Sequence, residues 1–365
     1  MTKLQELTAQ GQSPWLDYIR KDLLQTGELA SLVEAGIRGI TSNPTIFENA
    51  IGKSDLYLQD IKHLAHQGSD KYQIYEELAV EDIKRASDVL RPVYVKSDET
   101  DGFVSLEVSP DLCHDYERTV AEAKRLWNKI ERPNLMIKVP ATEAGLKAIT
   151  DLIADGISVN ATLMFTRQDY LDVAEAYLKG LELRHEKKLP LDTVASVASI
   201  FVSRIDTAVE GLVEGEVKSE LLGKVAVANA RQIYREFLNL FQSRRFLHLK
   251  NAGARPQRPL FASTGTKNPA LSDVLYVDQL IGPDTVNTMP PVTMKAFMDH
   301  GTIRRTVDQF AEDDDQVMRK CTQYGLDIEQ IGNDLKTKGL QLFADSFSAL
   351  LNTVEGKRKE ALESL

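Results

Sequence analysis

A lysine inside an apolar run offers the most chemistry in this 365-residue chain. In Leu135-Met136-Ile137-Lys138-Val139-Pro140, Lys138 falls on the face opposite Leu135, Ile137 and Val139 if the segment is pleated. An ammonium taken out of water loses its proton more readily, because desolvation penalises the charged form, and a neutral amine attacks a carbonyl to make a Schiff base. Taken alone, such a lysine is more simply a strand-edge residue whose stem packs and whose head reaches water. Its neighbours argue for the reactive alternative. In Val104-Ser105-Leu106-Glu107-Val108, Glu107 shares a face with Ser105 and Ser109; Ser158, Asn160 and Thr162 share one parity of their run; Asp17 lies between Leu16 and Tyr18. Singly, each carboxylate fits a solvated strand end. If all these faces turn inward, one cavity holds an amine, two carboxylates, an amide and a hydroxyl.

The elements that must position these residues alternate between short β-branched or apolar runs and longer amphipathic segments. That alternation predicts βαβ construction with a parallel sheet. Eight candidate strands are visible: Trp15–Ile19, Ile37–Thr41, Phe103–Ser109, Leu135–Ala141, Ile157–Leu163, Val194–Phe201, Pro259–Ser263 and Thr285–Met289. Eight strands close a (β/α)8 TIM barrel, an α/β fold that keeps its chemistry at the C-terminal strand ends, and fully buried barrel strands should otherwise be nearly continuous Val, Ile and Leu. The rival is an open doubly wound sheet, which periodicity does not separate from a barrel. The clearest helix is Asp70–Leu90, with Ser69 as its N-cap and Pro92 as its end. The long stretches before Phe103 and before Pro259 predict two helices each. After Pro290-Pro291 the chain reads as additional helices over about 291–365, with Leu340, Phe343, Phe347 and Leu351 recurring at about four, an extension suited to capping one end of the barrel. No linker or repeat interrupts this pattern, so residues 1–365 are expected to form a single domain with its strands within 15–289.

Composition narrows the partners. The chain carries 54 acidic against 44 basic residues, a net charge of −10, which gives no broad footprint for a phosphodiester backbone and makes nucleic acid a poor partner. Its purest apolar run, Val194–Val202, is far shorter than the ~20 residues of a membrane helix, and no apolar segment follows the basic start. No membrane association and a cytoplasmic location are therefore expected. Cys113 and Cys321 stand apart without metal-ligand spacing, and His63 and His66 have no third ligand nearby, so no metal is expected and the thiols read as reduced. Gly265-Thr266-Lys267 lacks the first glycine of a nucleotide P-loop, and Asn160-Ala161-Thr162 is a glycosylation sequon in a strand predicted to be buried. The basic runs Arg244, Arg245, His248, Lys250 and Lys357-Arg358-Lys359 read as solvated helix faces.

Five segments, Thr41-Ser42-Asn43-Pro44-Thr45-Ile46-Phe47, Ser105-Leu106-Glu107-Val108, Ile137-Lys138-Val139-Pro140-Ala141-Thr142, Ser158-Val159-Asn160-Ala161-Thr162-Leu163 and Ala198-Ser199-Ile200-Phe201-Val202-Ser203-Arg204, occur in order and at sensible intervals. Together they resemble the transaldolases, in the longer-chain branch, from about Trp15 to Met289. The resemblance implies a class I Schiff-base enzyme on a (β/α)8 barrel that needs no cofactor, with sugar phosphates as its small-molecule partners and a monomer or homodimer as the working form. It implies transfer of a dihydroxyacetone unit from sedoheptulose 7-phosphate to glyceraldehyde 3-phosphate, giving erythrose 4-phosphate and fructose 6-phosphate, in the non-oxidative pentose phosphate pathway. On this resemblance Lys138 is the Schiff-base lysine and Asp17 the carboxylate that takes and returns the substrate hydroxyl proton. Glu107 and Thr162 activate the catalytic water, Asn43 and Asn160 bond the dihydroxyacetone unit, and Ser199 is a further substrate contact.

Arg204 stands where the family binds the sugar phosphate, and its fork suits phosphate oxygens; pairing with Asp206 is the ordinary alternative. After the seventh strand, Ser263-Thr264-Gly265-Thr266-Lys267-Asn268-Pro269 offers small residues, a lysine, an N-cap in Asn268 and a proline at a first helical position, features of an anion site. Many transaldolases carry Ser-Phe-Arg here; Ser263 keeps its place, and Lys267 is the candidate second phosphate cation. The alternative activity is that of a fructose-6-phosphate aldolase, which releases free dihydroxyacetone. Relatives with that activity carry Gln in place of Glu107 and Tyr in place of Phe201, so both residues here favour transfer.

Overall fold

Each of the eight apolar runs forms a strand, each pairs in parallel with the next in sequence, and the eighth pairs back with the first. The strands are β1 (Gln12–Asp17), β2 (Ile40–Thr41), β3 (Val104–Glu107), β4 (Leu135–Pro140), β5 (Val159–Met164), β6 (Ser196–Phe201), β7 (Arg258–Ala262) and β8 (Thr285–Met289) in a computed structural model that describes residues 1–363. Closure rules out the open doubly wound sheet and leaves no strand edge. β1 opens earlier than expected, at Gln12, and so contains Pro14. The proline is tolerated because its carbonyl faces β2, accepting from Arg38, and its absent N–H faces the same side, where the ladder to β2 begins only at Leu16.

Some helix ends differ from expectation. The helix expected to stop at Pro92 runs Lys71–Lys96. The proline removes the single bond its N–H would give to the Asp88 carbonyl, while the buried face of Ile83, Ala86, Leu90 and Tyr94 continues past it. Its N-cap is Asp70 rather than Ser69: the Asp70 carboxylate accepts from the N–H groups of Tyr72 and Gln73, each at 2.9 Å, and Gln73 reaches back in a capping box. Before β7 the chain forms four helices instead of two, Ser203–Glu210, Gly215–Leu221, Val225–Phe241 and Arg244–Asn251, interrupted at Gly211 and at Gly223, whose φ is 70°.

Beyond β8 come Pro291–His300, Ala311–Gln323 and the 36-residue helix Ile328–Glu363. This last helix lies across the C-terminal mouth of the barrel, touching β5, the short helix Pro44–Phe47 and the helices Leu58–His66, Lys71–Lys96 and Ser203–Glu210. Two glycines bring it close. A Cβ on Gly332 would lie 2.0 Å from Thr166 Cγ2, and one on Gly339 would lie 3.0 Å from Leu163 Cδ2. A Lys336–Asp169 ion pair, a 2.9 Å hydroxyl contact between Ser346 and Thr45, and Lys357 Nζ donating to the carbonyls of Ile51 (3.1 Å) and Ser54 (2.7 Å) hold it down. Lys357 is thus a docking residue and not part of a solvated face, whereas Arg358 does pair with Glu355 as a surface residue would.

The opposite pole is closed by charge. Asp101 accepts from Ser13 Oγ, from Trp15 Nε1 at 2.9 Å and from Arg38 Nε at 2.9 Å, and Arg258 Nη2 lies 3.6 Å away. The Trp15 ring lies so near Gly39 that a Cβ there would come within 2.4 Å of it.

Candidate active site

The pleat puts Lys138 on the inner face of β4, with Glu107 of β3 and Asn160 of β5 as its register partners. Lys138 is 3 % exposed. Its Nζ donates to the Ser42 carbonyl at 3.1 Å and lies 3.1 Å from Glu107 Oε2. That ion-pair contact falls outside hydrogen-bond angles, so among the described residues Glu107 Oε2 has no hydrogen-bond partner, and neither has Thr162 Oγ1. A buried hydroxyl without a partner near a buried ion pair costs stability. Burial pushes the Glu107 carboxyl above the usual range, the Lys138 charge pulling it back.

Asp17 ends β1 beside Thr41 of β2, its register partner, whose hydroxyl donates to it at 2.6 Å. Burial raises the Asp17 carboxyl; the Thr41 hydrogen bond and the charges of Lys138 and Arg204 oppose it. A cavity of about 310 Å³ joins Asp17, Lys138 and Thr162 to Asn43, Ser199, Phe201, Arg204 and Ser263 at the C-terminal ends of the strands. Glu107 and Asn43 border a second cavity of about 360 Å³, between β3 and the helices Lys71–Lys96 and Tyr116–Ile130. The Lys138–Glu107 contact therefore lies between the two spaces, and Asn43 borders both.

Arg204 sits in the first turn of Ser203–Glu210 and makes no ion pair or hydrogen bond among the described residues. Asp206, its ordinary alternative partner, instead accepts from the Ala226 N–H at 2.8 Å and from Tyr276 Oη at 2.9 Å. The guanidinium lies 5.1 Å from the Phe201 ring centroid, and burial draws its pKa down while Asp17 opposes the shift. Ser263 Oγ is 3.0 Å from Ser203 Oγ, and Ser263 itself has φ 54°, a left-handed conformation that strains a residue with a Cβ. Leu163, φ 60°, carries similar strain where the β5–β6 register shifts.

Not every expected residue reaches the cavity. Asn160 is fully buried beneath it, donating to Ser105 Oγ at 3.0 Å and accepting from Ser199 Oγ at 2.6 Å. Asn43 caps Pro44–Phe47, its Oδ1 accepting from the Ile46 N–H at 2.9 Å, which leaves its amide N–H groups for a ligand. Lys267 is exposed and lies outside the lining residues. No helix opens at Pro269: Asn268 Oδ1 accepts from the Ala270 N–H at 2.9 Å in a turn, and the next helix is the single turn Leu275–Asp278. Among the cavity residues that were not anticipated are Thr41, Thr288 and Phe343. The Thr41 and Thr288 hydroxyls lie 2.6 Å apart, and the Phe343 ring centroid is 5.6 Å from Lys138 Nζ. Strand alternation in Thr285-Val286-Asn287-Thr288-Met289 was the available signal for Thr288.

Among the described residues no three His, Cys, Asp or Glu converge to hold a metal ion, both cysteines are free, and no helix is long and apolar enough to cross a membrane. What converges is a buried amine, the Glu107 carboxyl it contacts and, lining the same cavity, the Asp17 carboxyl and an unpaired guanidinium. Such a set can condense with a carbonyl and hold an anionic substrate.

Comparison with known proteins agrees. The family described as transaldolase/fructose-6-phosphate aldolase matches residues 14–354. A transaldolase of Frankia alni is 46% identical over 356 residues, covering 96% of each chain. Transaldolase 2 of a Nostoc species is 43% identical over 371 residues, covering 98% of this chain and 97% of its own. A transaldolase of Thermobifida fusca is 45% identical over 356 residues, covering 96% and 97%. The chain belongs to the transaldolase/fructose-6-phosphate aldolase family.

Proposed function

We propose that the chain is a transaldolase working through a Lys138 Schiff base, with sugar phosphates as substrates. The observation that carries this reading is the buried Lys138 amine in contact with Glu107, in a cavity that also holds Asp17 and the unpaired Arg204. Lys138 Nζ attacks the ketone of sedoheptulose 7-phosphate. Glu107, in contact with Lys138 Nζ, and Thr162, with its unpaired buried hydroxyl, hold the water that leaves on imine formation and returns on hydrolysis. Asp17 takes the hydroxyl proton as the carbon–carbon bond breaks, the electron pair passing to the protonated imine, and erythrose 4-phosphate departs. Addition to glyceraldehyde 3-phosphate reverses these steps, and hydrolysis releases fructose 6-phosphate.

In this reading Arg204 and Ser263 hold the phosphate and Phe201 supports Arg204 from beneath. Asn43 and Ser199 meet the sugar hydroxyls, with Asn160 orienting Ser199. Lys267 contributes only an outer positive charge on the loop beyond Ser263. Glu107 and Phe201 support transfer over the aldolase alternative. A place in the non-oxidative pentose phosphate pathway, a cytoplasmic location, a single domain and a monomeric or homodimeric form belong to the same proposal; the acidic surface supports the absence of nucleic-acid partners. Borohydride reduction with fructose 6-phosphate, followed by mass spectrometry, is expected to place a ketose adduct on Lys138. Lys138→Ala is expected to abolish it, and undiminished trapping in that variant would overturn the assignment.

A further inference from the structure

The helix Ile328–Glu363 contributes a side chain, Phe343, to the lining of the cavity. Gly332, Gly339, Phe343, Ser346 and Leu350 recur at spacings of seven, four, three and four, one continuous face of a helix. The two glycines lower that face onto Thr166 and Leu163, and Ser346 fixes it to Thr45. Phe343, midway between these anchors, is delivered into the cavity 3 % exposed, its ring 5.6 Å from Lys138 Nζ. A glycine within a helix gives up about 1 kcal/mol of helix stability relative to alanine, so two on the docking face favour close approach over helix strength.

We propose that Phe343 is a positioning residue that covers the Schiff-base nitrogen and sets transfer against hydrolysis. The proposal rests on Lys138 being the imine-forming residue. After cleavage the dihydroxyacetone unit remains on the lysine as an enamine. Its loss to solvent takes a proton onto carbon and then a water onto the iminium carbon. The resulting carbon–nitrogen single bond breaks with its electron pair going to nitrogen, the water oxygen becomes the ketone oxygen, and the lysine recovers its amine. An aromatic ring seated over the nitrogen takes volume from solvent that would deliver the proton to the enamine carbon, while the water held by Glu107 and Thr162 still serves imine formation and product hydrolysis. The ring face is also attractive to the positive iminium, whose nitrogen takes the place Lys138 Nζ holds 5.6 Å from the ring centroid. The acceptor aldehyde is held by its phosphate at Arg204, which lines the same cavity.

The test compares free dihydroxyacetone released from fructose 6-phosphate, with the liberated aldehyde removed by a dehydrogenase, against transfer to erythrose 4-phosphate. Phe343→Ala is expected to raise the release-to-transfer ratio by about 10-fold, and Phe343→Leu, which keeps most of the bulk, to stay within about 3-fold of the native value. An unaltered ratio in Phe343→Ala, or an equal rise in both variants, overturns the role. Should Phe343→Ala lose its helical signal, Phe343→Val reads the same ratio: a rise of about 3-fold supports the role and no rise overturns it. Ketose trapping on the native protein is measured in the same samples. Its absence overturns the reading of Lys138 and this inference with it, whereas trapping with an unaltered ratio overturns the role of Phe343 alone.

Discussion

Asp17 is held between opposing influences, and the balance sets where it ionises. Burial raises its pKa, while the Thr41 hydroxyl and the charges of Lys138 and Arg204 lower it. A base that removes a hydroxyl proton must be ionised, so activity falls as pH drops through the Asp17 value, which lies above that of an ordinary aspartate. Thr41→Val deletes one influence that lowers it. The acid limb of kcat/KM is therefore expected to move to higher pH in a pH–rate profile. A limb that stays or moves down would contradict this ordering. The inward parity of Ser105 with Glu107, and of Ser158 with Asn160 and Thr162, was legible because alternation along a strand is local. Which inward residue reaches the cavity was not. Asn160 is taken up by Ser105 and Ser199, from strands on both sides, and Arg204 is left free because Tyr276 and Ala226 claim Asp206. Those partners come from elsewhere in the chain, and no spacing near Asn160 or Arg204 announces them.

At the scale of elements, the seating of Ile328–Glu363 rests on side chains that are missing. At Gly332 any side chain would come within 2.0 Å of Thr166 Cγ2, far inside contact, so Thr166 or the helix must shift. Gly332→Val is expected to lower stability by about 1–3 kcal/mol in urea denaturation and to speed proteolytic release of the helix. Native-like resistance to protease would show that the contact can relax. The stripe Leu340, Phe343, Phe347, Leu351 made the helix visible in the sequence, since its period is set within a few turns. Its seat was invisible, because that depends on Leu163 and Thr166, more than 150 positions away. The same holds for Pro92, where packing of Leu90 and Tyr94 on the barrel outweighs one lost hydrogen bond.

At the scale of the whole molecule, the two ends of the barrel do different work. The mouth holds the reactive amine and its carboxyls, whereas at the base Asp101 answers two arginines, a serine and an indole. Removing its carboxylate leaves Arg38 and Arg258 without their counter-charge in a largely buried place. Asp101→Ala is expected to cost about 3–5 kcal/mol in denaturant unfolding. Ketose trapping by the protein that stays folded should be unchanged, because no cavity residue contacts Asp101. A loss of adduct without a loss of stability would show that the poles are coupled. One consequence concerns light. Of the two tryptophans, Trp127 lies half-exposed on an outer helix and Trp15 lies at the base with its ring N–H tied to Asp101. The bluer part of the intrinsic emission therefore comes from the closed end, where it reports loosening of the floor and stays silent on sugar arriving at the other.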